Sequence, residues 1–124
     1  MRTTLAALGV AFAMGCHQMT DGNAQAASGG VPAEMIEAMR GDAATRAGVS
    51  VSAVKVESAL GVTWPDASLG CPRPGMLYPQ VLVPGWRVRI VAGGKTYSYH
   101  AGRRGNWAWC PADRAQEPLP GNAI

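Results

Sequence analysis

Residues Val62–Gly75 read VTWPDASLGCPRPG, with Pro65, Pro72, Pro74, Gly70 and Gly75 crowded around Trp64 and Cys71. Proline fixes φ and removes a backbone donor, so neither a helix nor a central strand can run through this stretch. It is expected to be an ordered, bent loop. Trp64 is its apolar anchor and Cys71 a candidate covalent one. Regular structure has to be built on either side of it.

The whole chain has 124 residues. That allows one small domain, with roughly 80 residues for a core once a targeting segment and loose ends are set aside. A domain of this size gains from a covalent staple. From Cys16 onward ten Lys and Arg face eight Asp and Glu, a balance of +2. This is too weak to argue for nucleic acid. The distribution says more, since residues 65–114 carry seven basic and two acidic side chains. Such a surface is either simply solvated or faces an acidic partner or an anionic envelope surface.

Residues 1–15, MRTTLAALGVAFAMG, place one arginine before a short apolar run. The run is too short to span a bilayer and fits a signal segment. Ala13-Met14-Gly15-Cys16 resembles the lipobox of bacterial lipoproteins, in which the cysteine sulfur is acylated after export. Ala13 stands where leucine is usual. By that resemblance Cys16 is lipidated, and His17 in place of Asp points to the outer membrane. The alternative is a cut after Ala24-Gln25-Ala26, giving a secreted or periplasmic soluble protein. With Cys16 on lipid, Cys71 and Cys110 remain as a pair in an oxidising compartment. Closing that loop stabilises the fold by about 4 kcal/mol in the chain-entropy model. The alternative is that both stay reduced. Two histidines and this cysteine spacing do not make a zinc site, and no metal or cofactor is expected.

Residues 16–31 read as anchor and flexible tether. A domain is expected over 32–111 and a loose proline-rich tail over 112–124. Pro32 suits the start of a helix, Gly48 its C-cap, and Ile36, Met39, Ala43 and Ala47 form its apolar stripe. From Val54 to Trp64 the pattern alternates, placing Val54, Val56, Leu60, Val62 and Trp64 on one face of a strand. An extended stretch is expected over 76–83, then a turn at Pro84-Gly85. Trp86, Val88 and Ile90 alternate with Arg87 and Arg89 before a hairpin at Gly93-Gly94. Tyr97 and Tyr99 then alternate with Ser98 and His100, and Asn106–Cys110 is a last strand. The expected class is α+β: one N-terminal helix on a small antiparallel meander, tied by one disulfide.

The residues Val62–Asp66, Leu69–Pro72, Pro74–Met76, Tyr78, Gln80, Pro84-Gly85, Tyr97, Tyr99-His100 and Cys110 resemble a group of uncharacterised small exported bacterial domains. Their pattern runs roughly VTWPDxSLGCPxPGxxYxQ, then YxYH, then a closing cysteine. The resemblance covers about residues 33–110 and implies a shared fold and the Cys71–Cys110 link. It brings no activity with it. Pro79, where threonine is common, and Trp107 and Trp109 before the final cysteine depart from the pattern.

Asp66, Ser68 and His100 supply the residue types of a hydrolase triad. Ser68 lies in no nucleophile-elbow sequence, however, and Asp66 two residues earlier suits an Asx turn. A thiol nucleophile at Cys71 with His100 is lost if Cys71 is oxidised. No enzymatic activity is expected. Tyr97, Tyr99, Trp107 and Trp109 form two strand-spaced aromatic pairs, with Arg87, Arg89, Arg103 and Arg104 nearby. They are either an exposed platform for a peptide, glycan or envelope protein, or core under the helix. Arg73 in the cysteine loop offers a different possibility, a preorganised inhibitor loop against an envelope or host hydrolase. The expected function is a monomeric, non-catalytic envelope lipoprotein, a binding or structural module, with inhibition as the alternative.

Overall fold

The computed structural model describes residues 29–121. The expected signal segment 1–15, the lipidation site Cys16 and the tether up to residue 28 lie outside the described residues. Helix α1 (Ala33–Ala47) is followed by a 3-10 turn (Val51–Ala53) and four strands: β1 (Lys55–Trp64), β2 (Val83–Ala92), β3 (Lys95–Gly102) and β4 (Trp107–Cys110). The strands form one antiparallel sheet in the order β1-β2-β3-β4, with α1 on one face. The chain is therefore α+β, a helix on a meander, as its pattern of elements indicates.

Helix α1 begins after Pro32, whose carbonyl accepts from the Ile36 N–H at 3.1 Å. It stops at Gly48, where φ of 69° is left-handed and suits a residue without Cβ. Met35, Met39, Ala43 and Ala44 are buried, while Ile36 and Ala47 pack at the margin. The stripe is thus rotated slightly from the Ile36-centred one expected. The helix runs unbroken through Gly41.

Strand β1 departs from simple alternation. Its register with β2 shifts between Val56 and Ser58, leaving Glu57 as an extra residue. A bulge of one residue reverses the parity of everything after it. Val54 and Val56 therefore face the helix, whereas Leu60, Val62 and Trp64 project from the opposite face, with Ala59 taking over the core side. The single apolar face expected from Val54 to Trp64 is in fact split between two faces.

The expected extended stretch 76–83 and the turn at Pro84-Gly85 also differ. Residues 76–82 form no strand, and Val83, Pro84 and Gly85 are the opening of β2, paired with Trp64, Thr63 and Val62. Gly85 allows this. A Cβ there would run into the Ala101 carbonyl and lie 3.0 Å from the Trp64 Nε1. The Gly93-Gly94 hairpin forms as expected, both residues having positive φ, 58° and 76°.

On the face away from α1, the loop 65–82 closes over the sheet. Trp64 is fully buried there and donates its Nε1–H to the Ala101 carbonyl at 3.0 Å. The Cys71–Cys110 disulfide ties this loop to the end of β4, with the Cα atoms 5.7 Å apart. Residues beyond Pro111, expected to be loose, are tied down as far as they are described. Gln116 N–H donates to the Gly70 carbonyl at 2.8 Å and Leu119 N–H to the Thr63 carbonyl at 2.9 Å.

Candidate functional site

The four aromatic rings singled out in the sequence do share a face, and it is the face that α1 covers. Tyr97 and Tyr99 are buried, and Trp107 and Trp109 pack half-buried against the same core. Tyr99 meets Trp107 edge-on at 5.7 Å, and Tyr97 meets Trp109 at 6.4 Å. The Tyr99 hydroxyl donates to Asp42 Oδ2 at 2.7 Å. Burial, then that bond, raises the Tyr99 pKa far above the ordinary tyrosine range, so the ring stays neutral. Arg46 lies over the Trp109 ring at 4.0 Å and is itself bound to Asp42 at 2.6 Å. The rings are core with one covered rim, not an open platform. Arg87 and Arg89, placed beside them by sequence, project from the other face, because they alternate with the core residues Trp86, Val88 and Ile90.

That other face is where polar chemistry collects. Ser98 and His100, two apart on β3, stand beside Arg87 and Arg89 across the β2–β3 ladder. His100 Nδ1 lies 2.6 Å from the Leu69 carbonyl. A carbonyl only accepts, so Nδ1 carries the proton. The bare Nε2 then accepts from the Ser98 hydroxyl at 3.2 Å. Burial holds the His100 pKa below the ordinary histidine value, and nearby Arg87 adds to this against the Leu69 bond. The ring is a neutral, doubly hydrogen-bonded post, stacked under Trp64.

Leu69 presents its carbonyl from a left-handed backbone, φ 57°, a conformation that costs a leucine about 1–2 kcal/mol. The buried side chain holds it there. Asp66 makes the expected Asx turn, its Oδ1 accepting from the Ser68 N–H at 2.8 Å. Ser68 Oγ is buried without a hydrogen-bond partner among the described residues, so Asp66, Ser68 and His100 are not joined as a triad.

Strand β4 pairs only with residues 98–101, so Lys95, Thr96 and Tyr97 extend beyond it. A cleft of about 740 Å³ opens around this notch. Arg46, Arg87, Arg89 and Lys95 border it, and Glu117 is its only acidic lining residue among the described residues. Glu117 is engaged by Arg87 at 2.7 Å, which lowers the carboxyl pKa. Arg89 and Lys95 have no carboxylate partner among the described residues. The cleft therefore keeps positive charge that nothing described neutralises. No group of three or more His, Cys, Asp or Glu suited to a metal occurs among the described residues.

A family model described as a domain of unknown function, DUF8738, matches residues 36–110, more than half of the chain. The chain belongs to this family. The DUF8738 span runs from Ile36 in α1 to Cys110, so it takes in the bulged β1, the loop, the disulfide and the four cleft cations. It leaves out Gln116 and Glu117, which close the cleft on its far side. No curated protein and no solved structure matches the chain.

The remaining sequence candidate, Arg73, is exposed at the tip of the disulfide-tied loop. Its N–H donates to the Tyr78 hydroxyl at 3.1 Å, and its carbonyl accepts from the Met76 N–H at 3.2 Å. Sequence reasoning missed Arg46 and Ser98 as lining residues of the β3-edge cleft. The Ser98–His100 spacing on one strand face was the available signal. Nothing local marks Arg46, because it reaches the cleft from the helix.

Proposed function

We propose that the protein is a non-catalytic lipoprotein of the cell envelope, anchored through Cys16, whose DUF8738 domain binds a carboxylate- or phosphate-bearing envelope component in the β3-edge cleft. The observation that carries this is the cleft bordered by four cations and one engaged carboxylate. Arg89 and Lys95, which have no carboxylate partner among the described residues, are available to an anionic peptide or glycan, and Arg46 over the half-buried Trp109 gives it an aromatic wall. The Ser98–His100 pair is assigned a structural role, since both ring nitrogens are occupied within the fold. Outer-membrane placement follows from the same lipobox-like segment and His17.

Calorimetric titration with acidic peptides and acidic glycan fragments tests the ligand class. Binding that weakens about tenfold in the Arg89→Gln protein supports the reading, and indifference to that change sinks it. Metabolic labelling with palmitate, compared with Cys16→Ser, tests the anchor.

A second reading, inhibition of a hydrolase, has the exposed, clasped Arg73 in its favour. The tight turn at Arg73–Met76 occupies the carbonyl that a substrate-like strand would offer to an enzyme. The geometry therefore favours the module. Loss of inhibition in Arg73→Ala across a protease panel would reverse that order.

A further inference from the structure

The loop between the disulfide and β2 is apolar in a way the cleft does not explain. Met76, Leu77, Val81 and Leu82 are 56%, 97%, 56% and 65% exposed, four aliphatic side chains in seven positions. Large exposed aliphatics gathered in one segment mark a contact surface. The loop is ordered, since the Ala67 N–H donates to the Pro79 carbonyl at 3.1 Å and Tyr78 clasps Arg73. Val81 and Leu82 border a hollow of about 480 Å³ that Arg103 and Arg104 also line. Neither arginine has a carboxylate partner among the described residues, and the sequence holds no acidic residue between Asp66 and Asp113.

We propose that this loop and the Arg103-Arg104 turn together are a membrane-contact surface, resting on a bilayer with anionic headgroups. Aliphatic side chains enter the boundary between headgroups and acyl chains, while the adjacent arginines meet lipid phosphates. Arg103 is held in place by its neighbours. Gly30 abuts the Trp86 indole, where a Cβ would lie 3.9 Å from Nε1, and the Arg103 guanidinium lies 5.8 Å from the same ring. The Arg103 N–H also donates to the Pro84 carbonyl at 3.2 Å, two residues after Leu82. Gly29 itself lies against the Ala59 carbonyl, midway along β1. The β2–β3 hairpin, with Lys95, lies at the end of the sheet away from this loop, beside the end of α1, where Gly93 approaches Ala47. The inference rests on neither the cleft nor its ligand.

The test is vesicle flotation with the full chain carrying Cys16→Ser, so that no acyl chain at that position contributes. The apolar segment 1–15 is common to all variants, and differences between them report the loop. Binding to vesicles of phosphatidylglycerol and phosphatidylethanolamine is expected, with far weaker binding to phosphatidylcholine alone. Each buried CH₂ is worth roughly fourfold in partitioning, so Leu77→Asp and Leu82→Asp are each expected to lower binding at least tenfold. Each basic residue near an anionic surface is worth roughly fivefold, so Arg103→Gln/Arg104→Gln should lower binding about 25-fold on anionic vesicles only. Leu77 is almost fully exposed, so its variant keeps the fold, checked by circular dichroism. Equal binding of the parent and Arg103→Gln/Arg104→Gln proteins to anionic vesicles overturns the proposal. So does unchanged flotation of Leu77→Asp, or its loss of self-association in place of vesicle binding.

Discussion

Trp64 stacks on His100 on the sheet face opposite the helix, the ring centroids 4.5 Å apart and the planes 20° from parallel. The two residues come from β1 and β3, and the indole crosses β2 at Gly85 to reach its partner. His100 in turn holds the Leu69 carbonyl, so the stack joins the sheet to the central loop.

Truncating Trp64 therefore removes the core of the second face. Trp64→Ala is expected to cost about 3–5 kcal/mol in urea unfolding. Trp64→Phe keeps most of the packing and loses the bond to the Ala101 carbonyl, about 1 kcal/mol. Equal costs for the two would show that the indole N–H, not the ring, holds the loop.

Gly85→Ala is expected to destabilise by about 1–3 kcal/mol or more, because the added methyl group meets the β3 backbone at Ala101 and cannot be accommodated by a side-chain rotation. Gly41→Ala, with open space around the position, should be neutral or stabilising by up to about 1 kcal/mol. Thermal melts of the two variants should move in opposite directions.

His100 makes stability depend on pH. Its folded pKa lies below the ordinary histidine value, so the unfolded chain binds the extra proton first. The stabilisation is complete above the unfolded pKa of about 6.5. It is lost as pH falls from there through the lowered folded value. The urea midpoint should fall on acidification across that window, and His100→Asn should flatten the profile there while lowering stability at neutral pH. A steeper profile in the variant would mean that other groups govern the window. The Arg87–Glu117 pair acts in a lower range, since the carboxyl pKa is held below its usual value.

The disulfide closes a separation of 39 residues. Cys71→Ser/Cys110→Ser is expected to lose about 4 kcal/mol, read as a lower urea midpoint. In the oxidised protein neither thiol should alkylate without reductant. Ready alkylation would remove the staple and return a free thiol near His100.

The helix cap at Gly48, the Gly93-Gly94 hairpin, the alternation of Trp86, Val88 and Ile90, and the Asx turn at Asp66 were all legible, because each depends on φ limits or local periodicity. The bulge at Glu57 was not. One unpaired residue leaves no compositional trace, yet it sends Leu60, Val62 and Trp64 to the other face. Pro84-Gly85 carries the same residues whether it turns or opens a strand, and only the approach of Ala101 and Trp64 decides between them.

By itself, then, the chain's sequence determined a helix on a meander, a loop that could be neither, and two cysteines available to tie it. These follow from backbone sterics and apolar spacing, which act over a few residues. Tertiary structure alone decided that the aromatic pairs lie under the helix, that Arg46 joins Arg89 and Lys95 at one cleft, and that His100 stands between Trp64 and Ser98. Those relations depend on strand register and on contacts between residues far apart in the chain, and no local pattern encodes either.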